Sequence, residues 1–311
     1  MFLSIVIAAY NAADTITDTL NSILQLPEEK VEIVVVNDGS TDTTESILQT
    51  FNEKYSNIRC INQVNKGASA ARNIGIEASK GDYIWFIDAD DTINAHNAQM
   101  LLEEINKQTY DFVWFKNVNI INGKLEIVHN MPQYINEGEY NINQWYQFYH
   151  GAGMLWQYWL KREIIIREQI KFVEWAKWFE DADFLLKFSA HCQNLYISSK
   201  VLYQYTLNPK GAMRNSLLED RHKCRVQLSI SLLKECKNYN LSARNFIEGI
   251  LSISIAWCIR EANDSYARSL YLACKNAHIL PLAVGGGIKQ KIQISILNVN
   301  YYLYRILCKI I

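Results

Sequence analysis

The most restrictive feature of the sequence is the run Phe2–Ala9, which is apolar at every position except Ser4. A strand this uniformly apolar must be covered on both faces, as happens when a parallel sheet lies between helices. The residues that follow repeat the theme. Ile16, Leu20, Ile23 and Leu24 recur at helical spacing until Pro27 ends the pattern. Val31–Val36 is a second, β-branched strand, and Asp38-Gly39-Ser40-Thr41 turns the chain. Asp42 and Glu45 are spaced as an N-cap and its capping-box partner, which predicts a helix running to about Tyr55. Ile58–Asn62 reads as a short third strand. Ser69–Ser79 reads as a third helix, so rich in alanine and glycine that a neighbouring backbone can approach it closely. Asp82–Asp88 is a fourth strand, apolar until it ends in acid. This β-α-β-α-β-α-β order predicts an α/β fold with a mostly parallel sheet, flanking helices and right-handed crossovers.

Beyond Asp91 the pattern changes. A helix near Ala95–Lys107 leads into a strand over Asp111–Ile121, and Asn122-Gly123 signals a hairpin returning through Lys124–His129. Residues 131–180 are aromatic-rich without a readable period. From about Asp220 the pattern is helical, interrupted by Pro281 and Gly285-Gly286-Gly287. The expected organisation is one α/β domain over 1–215, in two halves (1–91 and 92–215), followed by a helical region over 216–311. A net charge of −1 over 311 residues argues against a bulk electrostatic grip on nucleic acid. Seven scattered cysteines without a C-x-x-C pair point to buried free thiols in a reducing compartment. The N-terminal apolar run lacks the basic flank of a signal peptide, and no uncharged apolar stretch is long enough to span a bilayer. A cytoplasmic location follows as the expectation.

Ligands of open parallel sheets sit outside the carboxyl ends of the strands. Here those ends carry Ala8-Ala9-Tyr10-Asn11, Asn37-Asp38-Gly39-Ser40 and Asp88-Ala89-Asp90-Asp91. Neither G-x-G-x-x-G nor G-x-x-x-x-G-K-[ST] is present, so a bound diphosphate would need another means of charge compensation. A metal is the natural substitute. Asp88 and Asp90 stand at i and i+2, and in an extended chain their carboxylates would share one face. Hard oxygen donors of this kind suit Mg²⁺ or Mn²⁺. The alternative is a solvated acidic turn in which Asp91 caps the next helix.

The segments SIVIAAYN, VVVNDGSTD, NKGASAARNIGI and GDYIWFIDADD, in this order across residues 4–91, resemble the family 2 glycosyltransferases. The resemblance implies a GT-A, Rossmann-like catalytic domain over 1–215 with a nucleotide-binding half (1–91) and an acceptor half (92–215), and a set of roles. Ala9 and Tyr10 would pack the base of the donor, and Asp38 would accept a hydrogen bond from uracil. Arg72 would lie near base and ribose. Asp88 would approach ribose and metal, and Asp90 would coordinate the metal directly. Trp178-Phe179-Glu180-Asp181-Ala182-Asp183-Phe184 looks like the family's E-D segment, which opens a helix beneath the acceptor. Neighbouring helical residues point about 100° apart, so Glu180 and Asp181 cannot both face the reaction. The resemblance favours Asp181 as general base, with Glu180 orienting it or touching acceptor. The alternative is a helix N-terminus whose acids favour the dipole. Residues 203–214 resemble a segment that covers the diphosphate in relatives, where Lys210 and Arg214 would offset phosphate charge. Asn208 stands where many relatives carry histidine. Trp145, Trp156, Trp159, Trp175 and Trp178 offer flat faces suited to a sugar ring, and about two of them are expected to touch acceptor.

The resemblance implies an inverting, metal-dependent transferase with a UDP-sugar donor and a glycan or lipid-linked acceptor, of the kind that builds bacterial capsule or lipopolysaccharide. Without membrane-spanning helices or a Q-x-x-R-W box, a non-processive enzyme is expected. A nucleotidyltransferase on a similar sheet and a non-catalytic nucleotide-sugar-binding scaffold are the alternatives. One further feature lies at the C-terminus. Residues 265–311 carry Arg268, Lys275, Lys289, Lys291, Arg305 and Lys309 and no acidic side chain. Ile292, Ile296, Val299, Leu303, Ile306 and Ile310 follow helical spacing. Such a stripe suits either peripheral contact with an anionic inner membrane face or packing on protein, including a homo-oligomer.

Overall fold

The computed structural model describes residues 2–105, 108–121, 124–127, 131, 135–149, 154–207, 217–283, 288–302 and 304, except for the side chains of 121, 124–127, 288, 289 and 292. The chain forms two compact units. The first comprises Met1–Phe148, Met154–Trp175 and His191–Arg214; the second comprises Tyr149–Gly153, Ala176–Ala190 and Asn215–Ile311.

The first unit opens with β1 (Leu3–Ala9), α1 (Ile16–Ile23), β2 (Val31–Asp38), α2 (Thr44–Lys54), β3 (Ile58–Gln63), α3 (Ala68–Ala78) and β4 (Tyr83–Asp88). It continues with β5 (Thr92–Ile93), α4 (Ala95–Glu104), β6 (Phe112–Ile121), β7 (Lys124–Ile127), β8 (Gly138–Asn141) and α5 (Ile142–Phe148). After these come β9 (Tyr158–Lys161) and α6 (Arg162–Arg167); α7 (Glu180–Ser189) belongs to the second unit, and β10 (Asn194–Thr206) returns to the first. One sheet holds the strands in the order β3-β2-β1-β4-β9-β6-β10-β5, with β7 on β6 and β8 on β10. Its first four strands are mutually parallel, as the alternating pattern predicts. Beyond β4 the sheet is mixed: β9 runs antiparallel to both β4 and β6, while β6 and β10 are parallel.

Alternation along β1 and β2 sends side chains to two cores. Leu3, Ile5 and Ile7 pack with Ile16, Leu20 and Ile23 of α1, whereas Val34 and Val36 pack against Ala71 of α3. The aromatic segment without a readable period resolves into core. Trp145, Trp156 and Trp159 are buried, Trp85 meets Phe115 and Trp159 edge-on, and the Trp85 indole N–H donates to the Trp156 carbonyl at 2.8 Å. Three of the five tryptophans considered for sugar contact therefore fill the interior; Trp175 is exposed and Trp178 half-buried.

The capping box at α2 does not form. Asp42 Oδ1 accepts from the Thr44 amide and hydroxyl, while Glu45 accepts from Asn62 Nδ2 at 2.8 Å, drawn off by the neighbouring strand. Asp42 thus still serves the start of its own helix, while Glu45 is given to a tertiary contact.

The second unit consists of α7, α8 (Leu218–Glu235), α9 (Leu241–Glu261), α10 (Asp264–Asn276) and α11 (Ile288–Val299). Residues 176–190, read from sequence as part of the acceptor half, pack with these C-terminal helices. Of the aliphatic stripe, only Ile296 and Val299 have described side chains, and Ile296 is half-buried. Ile294, Leu297, Tyr301 and Tyr304 are buried, whereas Val299 is 86% exposed. Two tyrosine hydroxyls decide this: Tyr304 donates to the Ala256 carbonyl at 2.7 Å and Tyr301 to that of Asp264 at 3.4 Å. Leu303, Ile306, Ile310, Arg305 and Lys309 lie outside the described residues or their side chains, as do Ile292 and Lys289. Among the described residues no helix is long and apolar enough to cross a membrane, and the six described cysteines are free thiols.

Close approach of α3 to β1 depends on Gly75, where an added Cβ would stand 2.2 Å from Val6 Cγ1. In a free helix Gly→Ala stabilises by about 1 kcal/mol. Here overpacking outweighs that gain, so Gly75→Ala lowers stability by about 1–3 kcal/mol in urea unfolding, and Val6→Ala in the same chain restores part of it. A G75A protein more stable than its parent would contradict the close contact.

Candidate functional site

Three strand ends of the first unit carry the residues singled out in the sequence. Ala9 is buried as the last residue of β1, and Tyr10 beyond it is 51% exposed. Asn11 takes a positive φ of 49°, tolerated by asparagine, and its carboxamide oxygen accepts from the Thr41 amide at 2.8 Å. In return, the Asn11 amide donates to Ser40 Oγ at 3.0 Å and the Ala12 amide to Thr44 Oγ1 at 2.8 Å. The loops after β1 and β2 are thus knitted together.

Asp38, at the end of β2, is buried. Its Oδ1 accepts from Gln63 Nε2 at 2.5 Å and the Lys66 amide at 2.8 Å, and its Oδ2 accepts from the Gly67 amide at 2.8 Å. This carboxylate holds the turn that leads into α3. The turn runs against Gly39, where φ is 68° and a Cβ would meet the Asn65 amide nitrogen at 2.7 Å. A role purely in ligand contact does not describe Asp38, because three donors of the fold already converge on it.

Helix α3 places Arg72 toward the end of β4. Its Nη2 lies 3.1 Å from Asp88 Oδ1, with the arginine side chain 12% and the aspartate side chain 39% exposed. The guanidinium also lies over the Phe172 ring, 5.5 Å from its centroid. The pair is therefore not a loose surface bridge: it joins two residues expected on the donor.

After Asp88 the chain does not stay extended. The Asp91 amide donates to the Asp88 carbonyl at 3.2 Å, and residues 89–90 form a turn, so Asp88 and Asp90 are not successive positions on one strand face. The hydroxyls of Thr15, just before α1, and Thr19 on α1 both donate to the Ala89 carbonyl, at 2.9 and 3.0 Å. Asp91 does not cap α4; Asn94 does, accepting from the Asn97 amide. Instead Asp91 is fully buried. The Tyr203 hydroxyl donates to its Oδ2 at 2.5 Å and accepts from the Asp88 amide at 3.2 Å, and the Thr206 amide donates to its Oδ1 at 2.6 Å. Burial, and then the charge of Asp88, pushes the Asp91 carboxyl up to about 8. Tyr203 is itself clamped by Trp156, stacked at 4.4 Å.

Sequence reasoning missed this clasp. Asp91 was legible as a third acid, but its partner lies on β10, 112 residues away. No local spacing marks such a contact.

The first unit therefore brings Ala9, Tyr10, Asp38, Arg72, Asp88 and Asp90 to the carboxyl ends of neighbouring strands and their loops. Lys210 and Arg214 lie outside the described residues. In the second unit, Glu180 and Asp181 are the first two residues of α7, and both are half-buried. The preceding Phe179 takes a left-handed φ of 70°, which sets the direction in which the helix starts. Behind them, Asp183 is buried against Lys187 Nζ at 2.8 Å, and burial raises its pKa to about 6.

Among the described residues there is no group of three or more histidine, cysteine or acidic side chains able to hold a metal alone. Asp88 and Asp90 supply hard oxygen donors at a partly exposed turn. Such a donor set fits Mg²⁺ or Mn²⁺ whose remaining ligands come from phosphate oxygens.

Residues 4–166 match the family model for glycosyl transferase family 2. The uncharacterized glycosyltransferase EpsJ of Bacillus subtilis is 30% identical over 230 residues, covering 71% of this chain and 64% of EpsJ, so the chain spans less than two thirds of that relative. The fold is that of S. aureus TarS, solved in complex with UDP-GlcNAc, with a TM-score of 0.77 at 20% identity over 99% of this chain and 89% of that one. A mannosyltransferase of Pyrobaculum calidifontis, solved with GDP-Man and Mn²⁺, matches with a TM-score of 0.52 at 15% identity, covering 99% and 84%.

The hydrogen bonds to Asp38 generate a prediction about stability. Asp38→Ala leaves the Lys66 and Gly67 amides without their acceptor and lowers the unfolding free energy by about 2–3 kcal/mol. Urea titration measures it, and a midpoint equal to the parent's would show that the carboxylate does not hold the turn.

Proposed function

Because this chain belongs to glycosyl transferase family 2, we propose that it transfers a sugar from a UDP-linked donor to a hydroxyl of a glycan or lipid-linked acceptor, with inversion and without processivity. The observation that carries this reading is the Arg72–Asp88 pair beside the Asp88–Asp91 turn, which gathers a cation and carboxylates at the strand ends. The complex of TarS with UDP-GlcNAc supports a uridine nucleotide. Ala9 and Tyr10 pack the base, Asp38 faces uracil from the turn it holds, and Arg72 lies against the ribose.

Asp88 and Asp90 would hold Mg²⁺ or Mn²⁺. When bound, the ion offsets the negative charge that develops on the departing diphosphate. Lys210 and Arg214 add to that compensation. The acceptor oxygen attacks C1 of the sugar as the bond from C1 to the diphosphate oxygen breaks. The acceptor's proton passes to Asp181, and UDP leaves with the electron pair of the broken bond. Glu180 orients Asp181 or touches the acceptor. Synthesis of a bacterial surface polysaccharide, capsule or lipopolysaccharide, fits these assignments, as does a cytoplasmic location peripheral to the inner membrane face. The exposed side of the last helices, with Val299 and Tyr302 beside Lys291, is available for membrane or homo-oligomer contact.

Two experiments test the proposal. Chelation abolishes transfer and Mn²⁺ or Mg²⁺ restores it, while Asp90→Ala removes metal-dependent UDP binding measured by calorimetry. Full activity in excess chelator would refute the metal assignment. Asp181→Asn retains donor affinity but slows transfer roughly 10²-fold or more, the scale of a lost general base. An active D181N beside an inactive E180Q would assign the base to Glu180.

A further inference from the structure

The second unit contains a guanidinium whose donors have no partner among the described residues. Arg225, on α8, lies over the rings of Phe179 and Trp257, with its central carbon 4.9 and 5.0 Å from their centroids. Its N–H groups make no hydrogen bond or ion pair among the described residues. One turn earlier on the same helix, His222 is 1% exposed, meets Trp257 edge-on at 5.0 Å, and neither ring nitrogen has a hydrogen-bond partner among the described residues. Burial, and then Arg225, hold the imidazole below its usual pKa, so it is neutral near pH 7 and keeps one donor and one acceptor. Trp257 is 36% exposed and opens the cluster to solvent.

Arg225 is half-buried. Two rings, worth about 0.5–1 kcal/mol each, lie against its guanidinium, and its edge donors have no partner among the described residues. Arginine presents such donors as a fork to a planar or tetrahedral oxyanion. Asp181 and Arg225 both act on the buried Tyr149 phenol, the first raising its pKa and the second lowering it, which puts the cluster beside the E-D segment. Phe179, under the guanidinium, directly precedes Glu180. Glu180 and Asp181 add negative charge nearby, so an anion would be held here by direct contacts with the fork and not by a long-range field.

We propose that Arg225, assisted by His222 on the same Trp257 ring, forms an oxyanion site that takes a phosphate group of the acceptor. The link to an acceptor rests on the transferase reading above; the phosphate site itself does not.

The probes are glycerol phosphate and, separately, vesicles of phosphatidylglycerol with phosphatidylcholine vesicles as control, all in chelator to silence the donor site. Trp257 fluorescence and the His222 ring resonances report binding. The parent protein responds, and R225Q loses affinity about tenfold or more, the scale of lost charge-assisted hydrogen bonds. R225K keeps the charge and the ring contacts without the fork and gives a smaller loss, so a folding defect in R225Q does not decide the matter. Arg225-dependent binding of glycerol phosphate supports a soluble phosphate-bearing acceptor, and Arg225-dependent binding seen only on phosphatidylglycerol supports a lipid-borne phosphate. No binding to either probe, or binding equal in the parent, R225Q and R225K, overturns the proposal. UDP affinity, measured separately with metal, tests the transferase reading: its absence alongside Arg225-dependent phosphate binding would remove the acceptor link and leave the site.

Discussion

Much of the candidate donor site depends on one buried carboxyl. Asp91 sits where an extended strand would have continued, and the chain turns there because Tyr203 and Thr206 of β10 bind both of its oxygens. Taking a carboxyl out of water is costly unless its oxygens are satisfied, and burial raises its pKa so that it stays protonated near neutrality. The same Tyr203 hydroxyl accepts from the Asp88 amide, so one phenol ties together both ends of the turn. From the other side, Thr15 and Thr19 at the start of α1 hold the carbonyl of Ala89. Asp88 and Asp90 are thereby presented from a turn fixed on two sides, which is the preorganisation a charged ligand site needs.

The strands divide this labour. β1, β2 and β4 are apolar and parallel, so their carboxyl ends come to one edge and their loops can hydrogen-bond to each other. Asp38 shows how fold and site share residues: its carboxylate organises the approach to α3, and α3 carries Arg72 to Asp88. Disturbing it alters the site through the turn as well as directly. Arg225 presents the contrasting case. Two rings lie against its guanidinium, and among the described residues its hydrogen-bonding capacity is open.

The C-terminal helices illustrate the limits of pattern reading. The aliphatic stripe suited membrane and protein contact alike; of its described residues Ile296 is half-buried and Val299 exposed, while the buried face runs through Ile294, Leu297, Tyr301 and Tyr304. Tyrosine counts for little on a hydrophobic scale, yet it buries a large ring and here also satisfies a helix carbonyl. The same blindness affected the capping box. Its spacing was correct, but Glu45 found Asn62 on the neighbouring strand, and a tertiary donor displaced the local one.

The sequence by itself determined the β-α alternation through β4, the helix that opens at Glu180, and the positions at strand ends where ligand chemistry could lie. These are local properties: apolar runs, helical spacing and turn residues act within a few positions of one another, so they are visible in one dimension. Tertiary structure alone decided that Asp91 is buried and not a cap, that Asp38 also holds the turn into α3, that three of the five tryptophans belong to the core, and that Arg225 lies over two rings with no hydrogen-bond partner among the described residues. Each of these depends on partners far away in the chain, and burial is a property of what surrounds a side chain, which its neighbours in sequence do not specify.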